Sequence, residues 1–378
     1  MRIATLCFSR TLGGLELATL RRGAELRAHG HHVVAILPEA PELIGRAEEF
    51  GIGVDRITPN LPYLDLPAAR KLSMVLQREE IELILVARTR DLSTAMMAAG
   101  RDIAVVLYQQ MQSGLDKHDW FHNKVFKRLD GCITITERGR EELTTTTVLA
   151  PEKITVIHYG IDTASFSPEC IAREEARREF SIPEDAFTVG IVGGFNPGKG
   201  QKEFIEGMRI AAEMEPTLGA RLHLLIVGER PSDPADYVAE LRRLRQDLPF
   251  AERAQLLPFA SDPRMVYRAL DLFVLASHSE TFGMVLQEAL AMGLPAVGTN
   301  SGGVPEIITD GHTGLLIEPK SPQAIADAVV RLYRDEQLRA RLAHAGRDFA
   351  VQAYDAGRQY MLFEETLGKA VERRKRRG

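Results

Sequence analysis

Cysteine is scarce. The three in 378 residues, at positions 7, 132 and 170, are odd in number, far apart and in no metal-ligand spacing. They argue against a disulfide framework and for a reduced, cytoplasmic protein. No apolar run approaches the roughly twenty residues that cross a bilayer. The opening Met1-Arg-Ile-Ala-Thr-Leu-Cys-Phe-Ser is too short in its apolar part for a secretory leader and reads as a first buried strand. Low-complexity tracts and sequence repeats are missing. So is the G-x-G-x-x-G fingerprint, which counts against a nicotinamide enzyme, and so is any D-x-D triplet that would chelate a divalent ion. The net charge of −5 removes a general attraction for nucleic acid.

What is present is an ordinary globular composition, 45% hydrophobic and 26% charged, at a length that suggests two cores. Short apolar runs alternate with helical patterns. Strands are expected at 3–8, 32–37, 83–86, 104–107 and 132–136, then at 188–192, 222–227, 254–257, 272–276 and 296–298. A helix is expected at 15–28, and another, returning late in the chain, at 349–371. Such alternation predicts parallel sheets covered on both faces by helices. Between the halves, His158-Tyr-Gly-Ile-Asp162-Thr-Ala-Ser-Phe166-Ser-Pro168 is punctuated like a linker. The expected division is therefore 1–165, 166–352 and a terminal helix with a basic tail at 353–378.

Near residue 280 the chain reads His278-Ser-Glu280-Thr281-Phe282-Gly283-Met284-Val-Leu-Gln-Glu288. Ser277–Gly283 is polar and ends in glycine, so it reads as loop, and Met284–Met292 carries helical spacing that stops at Gly293. Glu280 thus belongs to the approach loop and Glu288 to the first turns of the helix, both able to face its N-terminus, where free amides favour an anion. A phosphate flanked by two hydroxyl-rich ends, as in a nucleotide sugar, matches that arrangement. An isolated pair of glutamates is more often a solvated surface feature. Two further turns have ligand-binding composition. Gly13-Gly14 stands between a strand and a helix, and Gly193-Gly194-Phe195-Asn196-Pro197-Gly198-Lys199-Gly200 joins glycines to one lysine that would neutralise phosphate charge. A tight turn and a solvated lysine are the plain alternatives.

The Glu280-to-Glu288 segment, continuing through Ala296-Val-Gly-Thr-Asn-Ser-Gly-Gly303-Val-Pro305-Glu306 and Gly311-His-Thr-Gly314, resembles the E-x7-E signature of the retaining glycosyltransferases of family four. The resemblance implies the GT-B fold: two Rossmann-like, doubly wound α/β domains facing a central cleft, with the C-terminal helix crossing back to the first. It implies metal-independent transfer of a sugar from a nucleotide-diphosphate sugar to a hydroxyl acceptor, without a cofactor, which agrees with the missing D-x-D triplet. By the same resemblance, Gly13 and Gly14 close over the diphosphate and Lys199 binds it. Glu280 meets the sugar, Glu288 the ribose, Thr281 to Met284 line the donor, and Phe259 accommodates the base.

Two positions depart from the family pattern. Gly194 stands where the family generally has an arginine, so Arg138 or another basic residue is expected to compensate. The fourth-strand histidine is replaced by Gln109 or Gln110, able to hydrogen-bond a sugar hydroxyl or equally to be plain loop. His118 and His122, four apart, could ligate a metal on a helix but lack a third ligand. The basic run Arg373 to Arg377 reads as a solvated, mobile end. Alternatively, it would touch anionic lipid on the inner membrane face if the acceptor were a lipid-linked saccharide of envelope polysaccharide or lipopolysaccharide assembly. The rival readings are a non-catalytic nucleotide-sugar-binding protein and a nucleotide-sugar epimerase of the same fold.

Overall fold

A computed structural model describes residues 1–111 and 114–377. The chain divides into two compact units, one of Met1–His158 with Gln359–Gly378 and the other of Tyr159–Arg358. The first carries strands β1 (Arg2–Leu6), β2 (His32–Leu37), β3 (Gly53–Arg56), β4 (Leu83–Val86), β5 (Ala104–Gln109), β6 (Gly131–Thr134) and β7 (Ile154–Val156). They form one sheet in the order β3-β2-β1-β4-β5-β6-β7, every described pairing parallel. The second carries β8 (Phe187–Val192), β9 (Leu222–Glu229), β10 (Ala254–Pro258), β11 (Leu272–Leu275), β12 (Ala296–Thr299) and β13 (Leu315–Ile317). Their order is β10-β9-β8-β11-β12-β13, again parallel. Each unit is thus a Rossmann-like α/β layer.

The central strands Leu83-Ile-Leu-Val86 and Ala104-Val-Val-Leu-Tyr-Gln109 are buried along their whole length, as a parallel sheet covered on both faces requires. Three strands were not expected from the sequence: β3, β7 and β13. All three lie at sheet edges. Gly53-Val-Asp-Arg56 is half solvated, so it offers no apolar run to read.

The helix expected at 349–371 is instead two, Glu336–Tyr354 and Ala356–Lys375. Asp355 breaks them with φ −56° and ψ 128°. Its neighbours pair with the segment that reads as a linker: Ile161 N–H donates to the Tyr354 carbonyl at 2.8 Å and Ala356 N–H to the Ile161 carbonyl at 2.9 Å. A strand-like bridge there satisfies backbone groups that a continuous helix would keep for itself.

From residue 359 onward the second helix completes the first unit. Tyr360 stacks on His29 at 3.7 Å, and Phe363 meets Tyr108 edge-on at 5.5 Å while Arg22 lies 4.4 Å over its ring. Near its end, Arg374 pairs with the fully buried Asp130 at 2.6 Å. Arg373 donates to the carbonyls of Asp130 and Glu152, and Arg377 lies 3.6 Å from Asp130. The basic run is therefore helical through Lys375, and three of its cations are held by the first unit itself.

Candidate functional site

In the second unit, the loops that leave the C-terminal ends of neighbouring strands are tied to one another by backbone contacts. After β8, the Gly193 amide donates to the Val227 carbonyl of β9 at 2.9 Å. The Asp233 carboxylate, beyond β9, accepts from the amides of Phe195 at 3.1 Å and Arg230 at 2.8 Å. His278 N–H, after β11, donates to the Gly198 carbonyl at 2.9 Å, and Gly303 N–H, after β12, to the Glu280 carbonyl at 2.8 Å. Ligands of open α/β sheets bind at this strand end.

Only glycine fits two of these joints. At Gly200, φ is +74° and an added Cβ would stand 2.1 Å from the Ala276 carbonyl oxygen. At Gly302, φ is +61° and the Cβ would stand 1.8 Å from the Glu280 carbonyl oxygen. Gly302→Ala is therefore expected to destabilise the protein by about 1–3 kcal/mol and to displace the Glu280 loop. Urea unfolding of the variant measures this, and an unchanged midpoint would mean that the loop accommodates the methyl group.

These joints bring two of the sequence-identified residues into contact. Lys199 Nζ and the Glu280 carboxylate form an ion pair at 2.6 Å, and Ser277 Oγ donates to the same carboxylate oxygen at 3.2 Å. Both charged groups retain some exposure, Lys199 the more. Gly283, at φ +98°, caps the helix Met284–Ala291, whose first amides have no acceptor within the helix and so present partial positive charge beyond Glu280. Glu288 lies a turn inside that helix and accepts from Tyr267 Oη at 2.7 Å. Burial raises the Glu288 carboxyl to about 7, and the Tyr267 hydroxyl only partly opposes it.

The other named residues take varied positions. Thr281 and Met284 are exposed at the helix entry. Phe282 points inward, packed against Tyr159 and Tyr354 at 5.8 and 5.9 Å, so only its backbone is available to a ligand. Phe259 is half exposed, with the Arg230 guanidinium 4.0 Å above its ring. Gly194 has open space around it, the nearest side chain being Asp233.

Gly13, Gly14, Gln109 and Arg138 belong to the first unit. Gly13 caps the helix Gly14–Ala28, and its amide donates to Glu16 at 3.0 Å. Gln110 is occupied by a 3.0 Å hydrogen bond to Thr19. Gln109, the last residue of β5, keeps a buried side-chain oxygen with no partner among the described residues. His118 precedes the helix Trp120–Arg128 and bonds Asp116, while His122, inside it, bonds Asp119. The i, i+4 pair on one helix is therefore not formed. Sequence reasoning missed Tyr267, Arg230 and Asp233, because a partner distant in sequence carries no local signal. Only the position of Arg230 just beyond β9 could have marked it.

Two family models match the chain. That of the glycosyl transferases group 1 covers residues 172–349, and that of Glycosyltransferase Family 4 covers residues 12–165. The D-inositol 3-phosphate glycosyltransferase of Stackebrandtia nassauensis is 32% identical over 231 residues, 61% of this chain and 52% of that protein. The chain spans about half the length of the curated relatives it matches. Among solved structures, Anabaena HepE in complex with UDP aligns with a TM-score of 0.81 at 22% identity, over 97% of this chain and 100% of that one. A glycosyltransferase from Rickettsia africae aligns with a TM-score of 0.84 at 18% identity, over 98% of each chain. The likeness establishes a shared two-domain α/β fold.

Proposed function

From the premise that this chain belongs to the group 1, family four glycosyltransferases, we propose that it moves a sugar from a nucleotide-diphosphate sugar to a hydroxyl acceptor, with retention of anomeric configuration. The observation that carries this reading is the Lys199–Glu280 pair at 2.6 Å, set against the glycine-capped start of the helix that bears Glu288. A cation, a carboxylate and a set of amides thus stand beyond the C-terminal ends of the adjacent strands β8 and β11.

In this reading Lys199 and the amides near Phe282 to Met284 hold the donor diphosphate and stabilise the charge that collects on it as the glycosidic bond breaks. Glu280 accepts from the sugar hydroxyls, and Glu288 from the ribose diol. Phe259, with Arg230 above it, forms a shelf for the base. Gln109 offers its unpartnered oxygen to a sugar hydroxyl. The acceptor hydroxyl enters on the face the diphosphate leaves, and a leaving-group phosphate oxygen takes its proton. Positioning and exclusion of water do most of what remains. HepE has been solved with UDP and with UDP-glucose, which supports a uridine donor as the first to try. Envelope saccharide assembly is the setting we propose. Lipid contact through Arg373 and Arg374 is disfavoured by their internal bonds.

A thermal-shift panel of UDP-, GDP- and ADP-sugars tests the donor, and NMR of the product's anomeric centre tests retention. No stabilisation by any of them, or an inverted product, would overturn the reading. Binding without turnover would favour the non-catalytic alternative, which Gly194 in place of an arginine motivates.

The raised Glu288 carboxyl gives a pH test. As a carboxylate it accepts from both hydroxyls of a diol, whereas the protonated acid must spend one oxygen as a donor. With its value at about 7, donor dissociation constants are expected to be about tenfold larger at pH 6 than at pH 8, with no such trend in Glu288→Gln. A flat profile in the unmodified protein would remove this role. For stability the sign is opposite. The folded state keeps a proton that the unfolded chain releases, so this contribution is complete below the ordinary carboxyl value and lost as pH rises to about 7.

A further inference from the structure

The turn after β8 is gripped from its buried side by a side chain that has no part in the roles above. Gln201, the first residue of the helix Gln201–Met214, is 1% exposed. Its Nε2 donates to the Gly193 carbonyl at 3.2 Å and to the Gly194 carbonyl at 3.0 Å, and its Oε1 accepts from Tyr237 Oη at 3.2 Å. Tyr237, on the helix Ala235–Gln246, accepts in turn from the Lys202 amide at 3.3 Å. Burial pushes the Tyr237 hydroxyl up to about 12, so it keeps the proton it donates. The chain of bonds has one direction. Two carbonyls can only accept, so the nitrogen of the Gln201 amide must face them and its oxygen must face Tyr237.

The consequence falls on the backbone. These peptides are trans, so a carbonyl and the N–H that follows it point in opposite directions. Drawing in the Gly193 carbonyl turns the Gly194 N–H away from Gln201. Drawing in the Gly194 carbonyl turns the Phe195 N–H away as well, and the Asp233 carboxylate takes that one at 3.1 Å. The Gly194 N–H has no acceptor among the described residues. No side chain covers it from its own residue, and a Cβ placed there would meet only Asp233 Oδ1, at 3.9 Å. Lys199 Cδ lies 3.9 Å from where a Gly193 Cβ would stand, so the lysine stem runs beside the same peptide. An outward N–H next to a cation, with the neighbouring carbonyl dipoles drawn back, suits an anion.

We propose that Gln201 is a positioning residue of the donor site, which holds two carbonyls inward and thereby aims the Gly194 N–H at the donor diphosphate beside Lys199. The proposal rests on the transferase reading and names what orients the phosphate turn in a chain whose residue 194 has no side chain to offer. Without Gln201 these peptides are free to turn over. A carbonyl oxygen would then face the site and repel phosphate where the N–H attracts it. Tyr237 acts one bond further back, by fixing which end of the Gln201 amide meets the turn.

The test compares UDP with uridine by ligand-observed NMR titration of the full chain, unmodified, as Gln201→Met and as Tyr237→Phe. The GDP–guanosine or ADP–adenosine pair takes their place if the donor panel selects that base. Gln201→Met keeps the length of the side chain and removes its donor. Its UDP dissociation constant is expected to rise by about tenfold or more, the effect of one hydrogen bond to a charged group, while uridine binding stays within about twofold. Tyr237→Phe should shift the diphosphate preference in the same sense by a smaller factor. A merely structural defect would weaken nucleoside and nucleotide alike. If Gln201→Met does so, Tyr237→Phe decides, and an unchanged UDP-over-uridine preference there overturns the proposal. The same preference kept in Gln201→Met overturns it directly. An unmodified protein that binds no nucleoside diphosphate at all would instead be a failure of the transferase reading.

Discussion

Lys199→Ala is expected to lower kcat/KM for the nucleotide-sugar donor by about 100-fold or more, equivalent to roughly 2.7–4 kcal/mol of lost transition-state stabilisation. The lysine is the cation in contact with Glu280, at 2.6 Å, and Gly194 supplies no second cation in this turn. In the proposed reading, removing it would leave the developing phosphate charge to backbone amides alone. The same substitution would free Glu280 from the partner that orients it, so the loss should fall on kcat as well as on KM. Lys199→Ala combined with Glu280→Ala should cost less than the sum of the single changes, because contacting residues couple. Steady-state kinetics of the three variants measures this. Rates within twofold of the unmodified enzyme would remove both residues from the mechanism.

Asp130→Ala or Arg374→Ala is expected to destabilise the protein by about 3–5 kcal/mol, since either one strands a buried charge. Asp130 is fully buried, and its carboxylate accepts the Val105 amide at 2.9 Å as well as two bonds from Arg374. Arg374 is itself 8% exposed. Replacing the pair together by apolar residues of similar volume should restore much of the loss, which separates an isolated buried charge from a packing defect. Equilibrium urea denaturation is the measurement. A midpoint unchanged by either single substitution would mean that the ion pair contributes nothing to holding the last helix.

The inner strands were legible because a strand buried on both faces must be continuously apolar, as Leu83–Val86 is and as the second strand is from Val33 to Leu37. The edge strand Gly53–Arg56 was not, since it is half solvated, and Ile154–Val156 and Leu315–Ile317 are only three residues long, too short to show a pattern. The break at Asp355 escaped notice because its cause, a bridge to Ile161, lies nearly two hundred residues away. The site shows the same division. Glu280, Glu288 and Lys199 stand in compact local patterns, whereas Tyr267, which holds Glu288, and Asp233, which ties two loops, owe their roles to neighbours distant in sequence. The basic tail illustrates the reverse error: a run of like charges reads as solvated until a buried carboxylate such as Asp130 is found facing it.

The sharing of residues 359–378 with the first unit bears on how the molecule is made. A ribosome delivers β1 to β7 first, yet the rings that seal that sheet, and the arginine that neutralises Asp130, emerge only after the whole intervening unit. The early half must therefore wait, partly open, while the later half can close as soon as it is released. Shortened nascent chains ending before Phe363 should accordingly be cleaved by protease in the early half and spared in the later one.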